Sequence, residues 1–177
     1  MPRIPYKPAN LKEPYDLVES IRKRRGGNLL NLDRMLLQSP SFAKGWNTFL
    51  GEVRTALELS PKLRELAICA VAVLNGADYE FQIHAPEFIK AGGTAQQVEA
   101  LQKIGAYHDE PSLFDRVERA ALMLTFEMTR NVKVKETTFA DMRAVLPNDQ
   151  HVVELVGVIA TYNMVSRFLV ALEVERE

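Results

Sequence analysis

Apolar residues recur every three or four positions along nearly the whole chain, and the Val/Ile/Thr-rich alternation of a half-buried strand is missing. The pattern predicts an all-α protein. After an extended proline-rich arm, helices are expected over about 13–24 and 29–38, and a third from Ser39-Pro40 toward Leu57. Phe42, Trp46, Phe49, Leu50 and Val53 fall on one stripe of that third helix, which asks to be covered by a core or by another subunit. Ser60-Pro61 opens a helix that is apolar almost all round from Leu66 to Leu74, the pattern of an element buried at a centre. Asn75-Gly76 stops it, and a helix from about Asp78 to Ala91 follows, ended by Gly92-Gly93. These two should form a central antiparallel hairpin.

Thr94-Ala-Gln-Gln97 reads as a capping box for a short helix to about Ile104. His108 to Ser112 is polar and turn-rich, a joining loop. Helices are then expected near 114–130, 137–145 and 148–173, with Thr129 to Lys135 irregular. On the last helix Val152, Leu155, Val156, Ile159, Tyr162 and Leu169 share a face. Glu-Leu precedes an apolar helix twice, at Glu65-Leu66 and Glu154-Leu155, a weak hint of duplication. Neither the arm nor the 108–112 loop leaves two pieces with separate cores, so one domain over 1–177 is expected.

At 177 residues and 47% hydrophobic, the chain can bury a core. Lys plus Arg number 22 against 23 acidic residues, a balance that offers no footprint for nucleic acid or an anionic membrane. The one basic run, Arg22-Lys23-Arg24-Arg25, stands before Gly26-Gly27 and is explained by the dipole and cap at a helix end. The N-terminus lacks the apolar region of a secretion signal, and no apolar run approaches the roughly 18 residues of a membrane span. A cytoplasmic protein is expected. A lone cysteine, Cys69, excludes an intrachain disulfide, a cysteine-based zinc site and an intramolecular dithiol.

Candidate chemistry gathers around the hairpin. Glu80 and His84 are four apart, so their Cβ atoms are about 5–6 Å apart on one helix face, near enough for a carboxylate to orient an imidazole. If the hairpin closes at Asn75-Gly76, Glu65 on the first helix could reach His84. Two carboxylates and an imidazole in apolar surroundings suit general acid/base work. The alternatives are a Glu65 that merely favours its helix N-terminus and an exposed Glu80–His84 pair. The spacing Glu-x-x-x-His occurs once, unlike the paired Glu-x-x-His of di-iron bundles, so no metal is expected.

The order Arg64-Glu65-Leu66, apolar helix, Asn75-Gly76, Tyr79-Glu80-Phe81, His84-Ala85-Pro86 and Lys90-Ala91-Gly92 resembles the carboxymuconolactone decarboxylase and alkylhydroperoxidase D-like family, most closely over about residues 40–104. The tail, with Tyr162-Asn163 and Arg167, is similar to the longer, peroxidase-related members, and helices over 113–173 would complete the bundle. The resemblance implies an alkylhydroperoxidase D-like helical bundle that assembles as a homo-oligomer, a dimer, trimer or hexamer. The apolar hairpin helix and the Phe42 stripe point the same way.

In the peroxidase branch a Cys-x-x-Cys-x-x-x-His run follows a glutamate twelve residues before its first cysteine. Glu65 and His84 match, but Ala77 and Glu80 stand at the cysteine positions. Neither can attack a peroxide or resolve a sulfenic acid. Cys69, inside the apolar helix beside Glu65, reads as an inert core thiol, with a one-cysteine peroxidase as the alternative. In the decarboxylase branch, the resemblance implies cofactor-free acid-base chemistry on a small lactone carrying carboxylates. His84 would donate or accept the proton, Glu80 orient it or carry a proton, and Glu65 complete the relay. Tyr79 could donate to a developing enolate or simply pack. Arg167, with Asn163 on the same face, is the expected carboxylate clamp, unless it pairs with Glu154 or another acid. A catalytically silent helical scaffold is the reading outside catalysis. His108 and His151 are assigned no role.

Overall fold

The computed structural model describes residues 1–103 and 112–177, and among these every regular element is a helix. They are α1 (Tyr15–Arg25), α2 (Asn31–Leu36), α3 (Pro40–Thr55), α4 (Pro61–Asn75), α5 (Asp78–Lys90), α6 (Ala95–Gln102), α7 (Arg116–Arg130), α8 (Glu136–Arg143) and α9 (Asp149–Leu172). The expected all-α fold is what forms. Most of the loop expected at 108–112 lies outside the described residues. The chain divides into two compact units, 1–57 with 169–177, and 58–168.

In the first unit α3 packs on α1 and α2. Gly26, at φ 76°, caps α1 in the left-handed region, where a side chain would be strained. The basic run before it does more than answer the helix dipole. Arg24 and Arg25 converge on Asp33 of α2, which is 1% exposed, with Nη2–Oδ1 and Nε–Oδ2 distances of 3.3 and 3.1 Å. Burial and the neighbouring Arg25 lower the Arg24 guanidinium to about 10, against the opposing pull of Asp33. The α3 stripe divides: Trp46, Leu50 and Val53 are buried, whereas Phe42 and Phe49 stay half exposed.

In the second unit α4 packs against α5, α6 and α7, as its all-round apolar sequence requires. The Ser60 hydroxyl accepts from Leu63 N at 3.2 Å and starts α4. Gly76, at φ 65°, ends it and lets the chain reverse into α5. Thr94 and Gln97 cap α6 reciprocally, and Asp115 with Glu118 does the same for α7. Buried Glu118 also receives Lys62 at 2.6 Å and the Gln97 amide at 3.1 Å. Buried Glu127 accepts from Lys135 N and the Thr138 hydroxyl, which fixes the turn into α8 and, with burial opposing, holds its carboxyl below the usual range.

α9 corrects one expectation. The helix is long and apolar enough to cross a membrane by length and composition, with mean hydropathy 1.7 over its best window. Its Leu155, Ile159, Tyr162, Val165 and Leu169 are buried within the protein, and Val156 is only half buried.

Candidate active site

Glu65 lies in the second turn of α4 and Glu80 and His84 in the first two turns of α5, so closing the hairpin brings all three together. His84 Nδ1 lies 2.6 Å from Glu65 Oε2, and His84 Nε2 lies 3.0 Å from Glu80 Oε1. Both ring nitrogens are therefore held by carboxylates, and all three residues are less than 9% exposed. The exposed-pair alternative for Glu80 and His84 does not hold. Tyr162 of α9 packs its ring edge-on to the imidazole, with centroids 5.1 Å apart and planes at 83°.

The electrostatics follow from this geometry. Burial pushes the imidazole toward its neutral form, but the hydrogen bonds and charges of Glu65 and Glu80 outweigh it and raise its proton affinity above that of a free histidine. Burial likewise raises the Glu65 carboxyl, and His84 and Arg64 together more than reverse it, so Glu65 is held below the usual carboxylate range. Arg64 supplies this through Nε, 3.3 Å from Glu65 Oε1. The site therefore favours the protonated imidazole, held between Glu65 and Glu80. Glu80 Oε2 has no hydrogen-bond or ion-pair partner among the described residues, which leaves it as the free end of the chain Glu65–His84–Glu80.

The other expected residues fall elsewhere. Tyr79 is buried, but as the immediate neighbour of Glu80 it is turned about 100° around α5 from the Glu80–His84 face. Asn163 and Arg167 belong to a second cluster. The Asn163 amide donates to the Thr129 hydroxyl and the Ile159 carbonyl, and its Oδ1 accepts from Asn75 Nδ2 at 3.0 Å and from Arg167 Nη1. All four hydrogen-bonding positions of that side chain are occupied. Arg167 also donates to the Asn163 carbonyl at 2.9 Å, and Glu154, its expected alternative partner, instead accepts from Leu59 N at 2.7 Å and from Gln150.

Cys69 is completely buried, and burial followed by the charges of Glu65 and Glu80 pushes its thiol above the ordinary range. Among the described residues no three His, Cys, Asp or Glu side chains are arranged to hold a metal ion. Open grooves lie away from the trio. One of about 350 Å³ is lined by Arg116, Arg119, Met123, Thr138 and Val145, and one of about 450 Å³ by Leu17, Ser20, Lys44 and Asn47.

Two members of the site escaped the sequence reading. Side chains at i and i+1 on a helix normally diverge, so nothing in Arg64-Glu65 announces that its guanidinium turns onto its neighbour. Tyr162 carried the signal of a core residue, and spacing within α9 says nothing about what it meets on α5.

Several solved structures share the fold. An uncharacterized peroxidase-related protein from Silicibacter sp. TM1040 is 19% identical, with TM-score 0.80, covering 99% of this chain and 90% of its own. The Agrobacterium tumefaciens protein ATU0492, a putative antioxidant defence protein AhpD, is 19% identical with TM-score 0.73, covering 81% and 95%. The debrominase Bmp8, in complex with 2,3,4-tribromopyrrole, is 15% identical with TM-score 0.81, covering 100% and 94%. A comparison with curated proteins gives no match. Residues 40–122 match the Carboxymuconolactone decarboxylase family, a stretch that takes in the hairpin with its trio and runs on into α7. Over this stretch, just under half of its length, the chain is similar to the carboxymuconolactone decarboxylase family, and the solved structures above share its fold.

Proposed function

We propose that this protein is a cofactor-free acid-base enzyme of the decarboxylase type, acting on a small carboxylated or lactone metabolite. The observation that carries the reading is the imidazole of His84 with a buried carboxylate on each nitrogen. Because both nitrogens are taken, the atom that meets substrate is Glu80 Oε2. In the decarboxylation direction the bond from carbon to the substrate carboxylate breaks, its electron pair stays behind as an enolate, and CO2 leaves. The Nε2 proton of His84 passes to Glu80, which as the neutral acid delivers it from Oε2 to the enolate carbon and returns to the carboxylate, leaving His84 neutral. Glu65 keeps the ring in the orientation and charge state that allow this, and water later restores the proton. Tyr79 contributes packing at the start of α5, and Asn163 and Arg167 hold the α4 end against α9.

A dithiol peroxidase is disfavoured by Ala77 and Glu80 at the cysteine positions, and a one-cysteine route by the burial of Cys69. The test is NMR of purified protein with carboxylated γ-lactones in D2O. The reading expects deuterium at the carbon that loses CO2, and a fall of about 100-fold or more in Glu80→Gln and His84→Gln. Hydroperoxide reduction lost in Cys69→Ser would overturn it in favour of an antioxidant protein. Indifference of every phenotype to Glu80→Gln and His84→Ala would favour a silent scaffold. Assembly as a homo-oligomer is part of the proposal, and a monomer by light scattering at micromolar concentration would contradict it.

A further inference from the structure

We infer that Arg64 is the anion-recognition residue of this site and seats a carboxylate of the substrate on the terminal nitrogens of its guanidinium. This deepens the acid-base reading and rests on it. Only Nε of Arg64 is engaged, by Glu65 Oε1 at 3.3 Å. Nη1 and Nη2 have no hydrogen-bond or ion-pair partner among the described residues. A guanidinium presents its donors as a planar fork, so a side chain held at Nε still offers a two-donor edge of the kind that grips a carboxylate.

Exposure and charge agree with this. The side chain of Arg64 is 15% exposed against 9% for Glu65, 8% for His84 and 4% for Glu80, so Arg64 is the solvent-facing member of the cluster. Two carboxylates and one imidazolium carry a net charge of −1, which would repel an anionic substrate; Arg64 brings the four groups to neutrality and puts the positive charge on the exposed side. Two other cations of this unit are already engaged. Lys62 is on Glu118 at 2.6 Å, and Arg167 donates to the carbonyl and side chain of Asn163. Burial on one side and a fixed Nε on the other leave this guanidinium little rotamer freedom to lose, which favours binding.

The experiment is a titration with glutarate, a small dicarboxylate, read by the ring resonances of His84, with uncharged glutaramide as control. Wild type and Arg167→Gln should respond saturably to glutarate and not to glutaramide. Arg64→Met should lose the response, and Arg64→Lys, which keeps the charge and loses the fork, should bind about tenfold more weakly. Circular dichroism establishes that each variant is folded. Loss of the response in Arg167→Gln with retention in Arg64→Met would overturn the inference and move the clamp to α9. No response in wild type would overturn it outright. Binding needs no turnover, so either failure leaves the deuterium-incorporation test of the acid-base reading standing on its own.

Discussion

Replacing Glu65 by glutamine removes a charge while nearly preserving shape, and the structure sets what should follow. The Glu65–His84 contact is 2.6 Å long and both side chains are less than 10% exposed, so solvent screens it weakly. A hydrogen bond of this charged kind contributes about 1.5–3 kcal/mol, and the amide retains part of it by accepting from Nδ1. Loss of stability of about 2 kcal/mol is therefore expected at its maximum. The pH dependence has two edges. His84 has its proton affinity raised by folding, so its contribution is full below the ordinary 6.5 and is lost as pH rises through the folded value. Glu65 is depressed, so its contribution is full above the ordinary 4.5 and is lost as pH falls through the folded value. The penalty of Glu65→Gln should peak between about pH 4.5 and 6.5 and shrink on both sides. Urea unfolding of both proteins at a series of pH values measures it. A penalty that is the same at every pH, or below about 0.5 kcal/mol throughout as for an exposed pair, would refute the reasoning.

The remaining expectations concern the scaffold and the thiol. A Cβ on Gly93 would stand 2.5 Å from the ring of Phe88, which is fully buried and has nowhere to go, so Gly93→Ala should lose about 1–3 kcal/mol in urea unfolding. Asp33→Asn leaves Arg24 and Arg25 facing a neutral amide and weakens the bond to Leu30 N, and should cost about 3 kcal/mol by the same measurement. Cys69 should react with a chromogenic disulfide only after unfolding; prompt reaction of native protein near pH 8 would contradict its inert, buried state.

The elements of the fold were legible because their signals are local. Pro40 and Pro61 sit in first turns, Gly26 and Gly76 adopt the left-handed conformation at helix ends, and Thr94 with Gln97 forms its box. The helix expected near 114–130 begins at Arg116, where Asp115 and Glu118 cap it reciprocally. The trio was legible for a different reason. Glu80 and His84 share a helix face by spacing alone, and a tight Asn75-Gly76 reversal limits which residues of α4 can face them. Arg64, Tyr162 and the Asn75–Asn163–Thr129 network depend on how helices meet, which no periodicity within one helix encodes. The basic run before Gly26 illustrates the same limit, since its partner Asp33 lies on another helix.

The central claim is that two carboxylates keep His84 charged and ready to exchange a proton. Nitrogen-15 NMR of the three histidine rings across pH tests it most directly, with His84→Gln assigning the signal. At pH 7 His84 should show two protonated ring nitrogens and lose its charge at higher pH than His108 and His151, with the difference abolished in Glu65→Gln. A His84 that is neutral at pH 7, with one bare nitrogen, would contradict it.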